Sequence, residues 1–392
     1  KALALPGVYG VYHCLNTTDR KYNRYRSNFD QSYLPNEECA FNDYVRFVGD
    51  KIGVVAACDQ ETAERAARLV EVEYEELPFS IGFDDTLAGK NCLDGETPVR
   101  DEYELDVGEK QGNAEGLIEV CSTMELPRLH HATMETHACI ADYDPYSDML
   151  TVYCPNQAVH GIRTVLADFL EMPESHVRVV KATMGGSFGA KQEWFLEPVT
   201  ALVAKKLCRP VKLVYSRGEA MTDTIVRGAM RMSARGYYMP DGEMKEIYCD
   251  VTLDAGAYIG NAGDYVRALA GKPTRCYRIP YMHYHGQVIS SNSPVSGAFR
   301  SWSAAEEALM MERQLDAAAE KLGMDRLAIR LKNVARSGEE DKKLRLSLED
   351  IRIGDAITLG SEKFGWDKLK AEDAAFNASQ QRYRRGVGIG IG

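Results

Sequence analysis

The sequence contains ten cysteines but none of the close cysteine pairs that usually bind metals. Even the two nearest, Cys139 and Cys154, are far apart compared with a C-x-x-C pair. Zinc sites and iron–sulfur clusters depend on such short spacings, so we expect the chain to hold neither. The cysteines are then either buried free thiols of a cytoplasmic protein, which we favour, or partners in an intramolecular disulfide.

The chain has no excess of basic side chains and no long apolar run. There are 47 lysines and arginines against 58 aspartates and glutamates, which gives a formal net charge of −11. This balance argues against nucleic acid and anionic membrane as main partners. No apolar stretch approaches the ~20 residues that span a bilayer. The length of 392 residues allows two or three domains.

A strand, a glycine-rich loop and a helix are predicted in succession near the middle of the chain. Val177 and Val179 alternate with polar residues, as in a strand, and the apolar spacing predicts a helix over Trp194–Leu207. The loop between them matches neither G-x-G-x-x-G nor G-x-x-x-x-G-K-[ST], since Gln192 follows Lys191. It is therefore either a plain turn or a cradle for a ligand other than a nucleotide phosphate.

Four segments share their order and spacing with the motifs of one known family. They are His131–Ala141 (HATMETHACIA), Pro155–Gln157 (PNQ), Met184–Lys191 (MGGSFGAK) and Ala298–Arg300 (AFR). These segments resemble H-x-x-L-E-T-H-x-x-I-A, S-T-Q, M-G-G-G-F-G-G-K and the start of A-F-R-G-F-G. The family is the molybdenum hydroxylases, which include xanthine dehydrogenase and aldehyde oxidase. The resemblance runs from about Leu3 to the last residue.

The resemblance implies an α+β fold with several units. We expect a truncated α/β hammerhead-like domain over residues 1–84 and a polar linker over 85–116. The first molybdopterin-binding domain, also of mixed α+β type, is expected over 117–354. Residues 355–392 are expected to connect it to a second such domain, with a strand beginning after Arg385.

Local patterns predict individual elements within these units. Apolar alternation or β-branched runs favour strands, and a 3.6-residue apolar period favours helices. The main predicted strands are Tyr44–Phe47, Ile52–Ala57, Val70–Tyr74, Leu117–Met124, Leu150–Cys154, Val211–Tyr215, Met230–Tyr238 and Met244–Asp254. The main predicted helices are Glu61–Leu69, Ala304–Leu322 and Asp325–Asn333, and an amphipathic helix is predicted after Gln157.

The histidines could suggest a metal site, but their spacing argues against one. In a strand, His131 and His137 would share a face while His130 points away, and His283 and His285 lack a third partner. No H-E-x-x-H motif is present. The resembling family holds molybdenum through a pterin dithiolene, so no metal-ligating residue is assigned.

The resemblance assigns the cofactor contacts. The cofactor would be molybdenum-molybdopterin, either as such or as its cytosine dinucleotide. Gln157 would direct its side-chain amide to the metal centre, and the backbone of Arg300 would approach from an opposite loop. The remaining contacts would come from the glycine loop, at Gly186, Ser187, Phe188 and Gly189. The alternatives are that Gln157 caps the following helix and that Arg300 is an ordinary surface cation.

Two departures from the family pattern affect the same region. The family's G-F-G-G-P-Q is replaced by Ser301-Trp302-Ser303-Ala304-Ala305-Glu306. Gln192 stands where the purine-oxidising members have a carboxylate. The lost glycines motivate a second hypothesis, in which the chain is a non-catalytic scaffold homologue within a redox complex.

Substrate contacts are predicted for Gln192, Arg267 and Trp302. Arg267 resembles the arginine of the family's E-R-A-L segment, which binds a heterocycle carbonyl, and Trp302 offers a ring for stacking. These residues favour an N-heterocycle that is xanthine-like or nicotinate-like, with an aldehyde as the alternative. A structural ion pair of Arg267 with Asp264 or another acid is the competing interpretation.

The resemblance also implies groups that this chain does not supply. The family's general base is a glutamate near the carboxyl end, in a part that we expect beyond residue 392. We therefore predict that this polypeptide alone is inactive. Because the chain has neither iron–sulfur cysteine spacing nor an FAD motif, 2Fe-2S clusters and FAD are expected on partner subunits of a hetero-oligomer.

Overall fold

The computed structural model describes residues 1–25, 35–93, 97–110, 116–379 and 382–391. Over these ranges the fold is α+β, which confirms the predicted class. Two larger sheets, of five and four strands, carry helices, and two small two-stranded sheets lie towards either end of the chain. None of the helices in the described ranges combines the length and the apolar character needed to cross a bilayer.

The first small sheet pairs two strands that are remote in sequence. Strand β1 (Val8–His13) runs antiparallel to β2 (Gly53–Ala57). Helix α1 (Gln60–Ala67) follows directly and packs on β2. Asp59 caps this helix by accepting a hydrogen bond from the Thr62 N–H, as short polar side chains do at helix starts.

The four-stranded sheet carries the glycine loop at the end of its edge strand. Its spatial order is β7 (Val177–Lys181), β6 (Met149–Cys154), β5 (Ala138–Asp144) and β8 (Val211–Val214). The pair β6–β7 is parallel, and α3 (Val159–Phe169) makes the crossover between them. Helix α4 (Glu197–Leu207) follows the glycine loop and packs mainly on β5.

The five-stranded sheet is the larger of the two main sheets. Its spatial order is β3 (Val99–Gly108), β11 (Tyr281–Ile289), β10 (Met244–Asp254), β9 (Ala229–Tyr238) and β4 (Ile118–Leu126). Only β10 and β11 are parallel, and α6 (Ala262–Leu269) lies in the crossover between them. The long helix α8 (Ala304–Leu322) packs on β4 and β9.

The remaining elements are peripheral. They are α2 (Phe83–Leu87), α5 (Arg217–Asp223), α7 (Pro273–Cys276), α9 (Arg326–Asn333), β12 (Glu339–Asp341), β13 (Leu346–Leu348), α10 (Ile353–Phe364) and α11 (Trp366–Ala378). Strands β12 and β13 form the second small sheet. All ten cysteines are free thiols, so the disulfide alternative is not realised.

The predicted linker is wrong in one part. Residues 99–108, within the stretch 85–116, form strand β3 at the edge of the five-stranded sheet. Tyr103, Leu105 and Val107 alternate with acidic residues, and this period of two suits a half-buried strand. Residues 94–96 and 111–115 of the stretch lie outside the described ranges. The proposed domain boundaries themselves stay a prediction.

Three predicted strands are not formed. Tyr44–Phe47 and Val70–Tyr74 are irregular, and residues 385–391 after α11 have no strand partner among the described residues. Val70, Val72 and Tyr74 are exposed. Their alternation is typical of a strand, but no neighbouring strand in the described ranges lies beside them to form backbone hydrogen bonds. Strand propensity alone does not satisfy backbone N–H and C=O groups.

Each larger sheet has its own hydrophobic core. One core lies between the four-stranded sheet and helices α3 and α4, and the other lies between the five-stranded sheet and helices α6 and α8. Trp302 is half-buried and packs against both cores. The loop that carries Trp302 therefore lies where the two halves of the fold meet.

Candidate functional site

The glycine loop between β7 and α4 adopts a backbone that needs glycine. Gly186 and Gly189 have φ of +97° and +106°, and Phe188 between them has φ of +55°. A Cβ at Gly189 would lie 2.4 Å from the carbonyl oxygen of Ala298. Only glycine permits both this φ and this close approach, so the loop is held against the segment around Ala298.

Two facing loops are joined through their backbones. The Arg300 N–H donates to the Phe188 carbonyl oxygen at 2.8 Å. Arg227 donates to the Arg300 carbonyl oxygen at 2.8 Å, and its guanidinium lies 4.3 Å from the centre of the Phe299 ring. Glu306 is buried and pairs with Arg227 at 3.0 Å. The Arg300 side chain is exposed, so its backbone is the part that contributes to this junction.

Gln157 is bound to the glycine loop at two points. Its backbone N–H donates to the Lys191 carbonyl oxygen at 2.7 Å. Its side-chain Oε1 accepts from the Ser187 hydroxyl at 2.5 Å. Helix α3 has Ala158 as its N-cap residue, and no side chain in the described part of the chain caps it. The helix-cap alternative for Gln157 is therefore wrong.

A buried lysine holds the loop from below. The Lys191 side chain is 1% exposed and forms an ion pair with Glu135. Glu135 also accepts from the Gly185 N–H at 2.8 Å. Burial raises the pKa of Glu135, but the hydrogen bonds from Lys191 and Gly185 outweigh it and lower the pKa overall. Glu135 is thereby kept ionised, which secures the start of the loop.

The segment that replaces the family glycines keeps a glycine-like backbone. Ser301, Trp302 and Ser303 have φ of +86°, +38° and +63°. Lys272 donates to the Trp302 carbonyl oxygen and, at 2.7 Å, to the Ser303 hydroxyl. Left-handed conformations are unfavourable for residues with a Cβ, so these contacts maintain a strained turn.

Aromatic rings gather around Trp302. The Tyr265 ring lies 5.1 Å from that of Trp302, and the Tyr25 ring is stacked on it at 6.4 Å. Tyr265 is buried and its ring is tilted by 58° from that of Trp302, so the half-buried Trp302 is the ring that a planar ligand could reach. Gln192 lies in the glycine loop, where its N–H donates to Gly189 at 3.1 Å and its side chain is half-buried.

Arg267 is placed differently from the other predicted site residues. Its guanidinium forms two hydrogen bonds with the Asp101 carboxylate, at 2.5 and 2.8 Å. It also lies over the Tyr103 ring at 5.6 Å. The structural alternative named above was an ion pair with Asp264 or another acid, and Asp101 is such an acid. The planar fork of Arg267 is therefore already engaged by protein.

The histidines of the HATMETH segment act as backbone clamps. His131 donates to Ala298 at 2.8 Å and His137 donates to Ala190 at 3.0 Å, so each reaches one of the facing loops. Burial lowers the pKa of both to about 4, which keeps them neutral. Residues 131–137 are not a strand, so the face-sharing argument made for these histidines from strand geometry does not apply. Among the described residues, no cluster of three His, Cys, Asp or Glu side chains could hold a metal ion.

Glu193 joins three segments behind the site. Its backbone carbonyl accepts from Asn156 at 2.7 Å. Its Oε1 accepts from Asn261 at 3.2 Å and from the Ala298 N–H at 3.3 Å, whereas Oε2 has no partner in the described structure. Burial raises the pKa of Glu193 to about 8, although Arg24 opposes the shift. A neutral carboxylic acid therefore stands beneath the loops at pH 7.

These features fit the cofactor that the resemblance implies. Within the described residues, the N–H groups of Ser187, Phe188 and Gly189 have no acceptor. Free N–H groups in a glycine loop attract oxygen ligands and anions. The Gln157 side chain is bound to this loop through Oε1, which leaves its Nε2 donors without an acceptor in the described structure. The residues needed to surround a polar, oxygen-bearing group are therefore present at one place.

Sequence reasoning missed several supporting residues. They are Glu135, Glu193, Arg227, Lys272 and Glu306. Lys191 and Glu135 lie inside two of the recognised motifs. Because a buried lysine requires a carboxylate partner, their ion pair could have been predicted from the sequence. Arg227 carries no local pattern, and its partners Arg300 and Glu306 are distant in sequence.

Comparison with known proteins assigns the two parts of the chain. Residues 99–334 match the molybdopterin cofactor-binding domain. Residues 1–78 match the a/b hammerhead domain of aldehyde oxidase and xanthine dehydrogenase.

Similar proteins agree with this assignment. The xanthine dehydrogenase molybdenum-binding subunit of Escherichia coli O157:H7 is 29% identical over 99% of this chain and 52% of its own length. The nicotinate dehydrogenase large molybdopterin subunit of Eubacterium barkeri is 30% identical over 86% of this chain and 78% of its own length. The aldehyde oxidoreductase of Desulfovibrio gigas superposes with a TM-score of 0.84 at 24% identity, over 95% of this chain and 42% of that one. The chain thus spans about half of the first relative.

Proposed function

Because this chain belongs to the molybdenum hydroxylase family, we propose that it is the molybdopterin-binding portion of an enzyme that hydroxylates an N-heterocycle with water as the oxygen source. The observation that carries the proposal is the junction of the two facing loops. Phe188 and Arg300 are joined by a 2.8 Å backbone hydrogen bond, and Gln157 is bound to the same loop. Three of the segments that resemble family motifs therefore contact one another at this junction.

The chain's own residues have a limited set of tasks at this point. Gln157 and the N–H groups of Ser187, Phe188 and Gly189 would hold the cofactor and stabilise negative charge that develops during the reaction. The bound cofactor supplies the oxidation and oxygen-insertion chemistry. Because these donors are fixed by Lys191 and Ala298, they need little reorganisation when charge shifts.

An N-heterocycle is supported by the aromatic cluster and by two relatives. The half-buried Trp302, which packs against the buried Tyr265, offers a ring for stacking with a planar substrate. The xanthine dehydrogenase subunit and the nicotinate dehydrogenase subunit are named for such substrates. Gln192 supplies one amide donor and one acceptor for ring heteroatoms. We favour xanthine-like or nicotinate-like rings over an aldehyde. The similarity to the aldehyde oxidoreductase, at 24% identity, supports the fold but not the substrate.

The partners follow from what the chain would need for turnover. We propose that 2Fe-2S clusters and FAD reside on partner subunits of a cytoplasmic hetero-oligomer, and that the cofactor is molybdopterin or its cytosine dinucleotide. The relatives described as molybdenum-binding and large molybdopterin subunits support a multi-subunit assembly. By the same argument, a polypeptide of these residues alone has no turnover.

Metal analysis and a substrate panel on the native complex test the proposal. We expect near-stoichiometric molybdenum and a higher kcat/KM for hydroxypurines or pyridine carboxylates than for simple aldehydes. An intact complex without molybdenum would instead support the non-catalytic scaffold, which the replaced glycines at Ser301 and Ser303 favour. Preference for aldehydes would overturn the substrate class but leave the family chemistry in place.

A further inference from the structure

Ser187 is a buried residue within the glycine loop, and its hydroxyl makes two hydrogen bonds. The residue is 8% exposed. The hydroxyl oxygen accepts from the Lys191 N–H at 3.1 Å. The hydroxyl proton is donated to Gln157 Oε1 at 2.5 Å. One hydroxyl thus connects the turn of the loop to the side chain of the neighbouring segment.

These bonds determine how the Gln157 amide is oriented. An amide side chain has one oxygen acceptor and two N–H donors, and rotation by half a turn exchanges them. The Ser187 bond occupies Oε1, and the backbone N–H of Gln157 is held by the Lys191 carbonyl oxygen at 2.7 Å. Both ends of Gln157 are therefore anchored to the loop. The two N–H donors of Nε2 have no acceptor among the described residues, so they remain available to a ligand.

We propose that Ser187 is a positioning residue that orients the Gln157 amide so that Nε2 donates toward the molybdenum centre. This inference rests on the proposed function. The resembling family loop has glycine at this position, which has no hydroxyl to offer. Ser187 does not have a positive φ, so its backbone does not require glycine. In this chain the orientation of the amide depends on a single hydroxyl group.

The structure also defines what a merely structural Ser187 would do. The bond from the Lys191 N–H to Ser187 closes the turn, and its loss would lower stability without involving Gln157. A positioning role has a different consequence, because it disappears when Gln157 itself is removed. The two roles are therefore separated by a double-mutant cycle.

The test uses the complete complex with Ser187→Ala, Ser187→Gly, Gln157→Ala and the double variant Ser187→Ala/Gln157→Ala. The readouts are molybdenum content, the electron paramagnetic resonance spectrum of the molybdenum(V) state, and kcat and KM separately. Ser290→Ala is the matched control, since Ser290 is buried and its hydroxyl has no partner in the described structure. It should leave every readout unchanged.

We expect Ser187→Ala and Ser187→Gly to retain molybdenum, to shift the resonance spectrum, and to lower kcat about tenfold with KM nearly constant. The double variant should match Gln157→Ala in spectrum and kcat. Additive effects, or a wild-type spectrum in Ser187→Ala, would overturn the positioning role while the proposed function stands. Molybdenum loss in both Ser187 variants at unchanged melting temperature would overturn the positioning role and make Ser187 a cofactor-binding residue instead. A wild-type complex without molybdenum would overturn both inferences together.

Discussion

Arg267 and Asp101 form a bidentate ion pair that connects helix α6 to the edge strand β3. Both side chains are partly exposed, so solvent weakens the attraction. The pair nevertheless holds the guanidinium in one place and directs it to a protein carboxylate. We therefore expect this ion pair to contribute to the stability of the fold, whereas the residues around the glycine loop contribute to the cofactor site.

We predict that Arg267→Ala and Asp101→Ala each lower the free energy of unfolding by about 1 kcal/mol, and that the double variant loses little more. Urea unfolding measures this. In the complete complex, kcat/KM for the best heterocycle should change by less than about threefold. Lys90→Ala, which breaks a more exposed pair with Asp85, is the control and should be nearly neutral. A tenfold fall in kcat/KM at unchanged stability would return Arg267 to the substrate site.

Gly189→Ala should disrupt the junction of the loops. The new Cβ would lie 2.4 Å from Ala298 at a φ of +106°, so we expect a loss of at least about 2 kcal/mol in unfolding free energy and reduced molybdenum content. Gly360→Ala is the matched control, because Gly360 lies inside α10 with open space around its Cα. That control should be neutral or slightly stabilising, by about 0.5–1 kcal/mol. Equal behaviour of the two variants would contradict the crowding argument.

Ser301→Gly should stabilise the protein. Ser301 is exposed and has φ of +86°, a conformation that costs a residue with a Cβ about 1 kcal/mol. Removing the Cβ relieves that cost, less the extra entropy of glycine in the unfolded chain, so we expect a gain of about 0.5 kcal/mol. Ser175→Gly, at an exposed serine without a positive φ, should be slightly destabilising. A higher melting temperature for Ser301→Gly alone is the expected result.

Glu193 should make stability fall as pH rises. Its folded pKa of about 8 exceeds the ordinary value of 4.5, so between these pH values the folded state keeps a proton that the unfolded state releases. The stabilisation is complete below pH 4.5 and is lost as pH rises to about 8. Glu193→Gln keeps the hydrogen bonds of a neutral side chain but removes the titration.

The measurement is the free energy of unfolding of wild type and Glu193→Gln at several pH values. Their difference should change in favour of Glu193→Gln by on the order of 3–5 kcal/mol between pH 4.5 and 8. Taking the difference removes the contribution of Glu307, whose pKa burial raises to about 7. Parallel curves for the two proteins would show that Glu193 is ionised in the fold.

Elements with strong local patterns were predictable. The helix Ala304–Leu322 was predicted with its observed bounds because its apolar stripe repeats over several turns and Gly323 ends it. The helix predicted from Trp194 begins only at Glu197, since Glu197 binds the Phe195 N–H and Pro198 occupies the first turn. Local sequence gives the type of an element better than its first residue.

The candidate site was predictable only where glycine or a motif marked it. Gly186 and Gly189 report a backbone requirement that is visible in the sequence. The pairing of Arg267 with Asp101 depends on the sheet order that brings β3 beside β11, and no local pattern contains it. Long-range ion pairs follow from the topology, so their partners were identified only in the structure.

The pairing of β3 with β11 has a consequence for synthesis on the ribosome. Glu102 and His285 are hydrogen-bonded across this pair although they are 183 positions apart. At bacterial and eukaryotic elongation speeds, β3 leaves the ribosome roughly 10–40 s before its partner exists. Throughout that interval it is an unpaired strand, which invites association with other nascent chains. The strand carries four acidic residues, Asp101, Glu102, Glu104 and Asp106. Their charges keep the unpaired strand hydrated and make copies of it on neighbouring nascent chains repel one another until β11 has been synthesised.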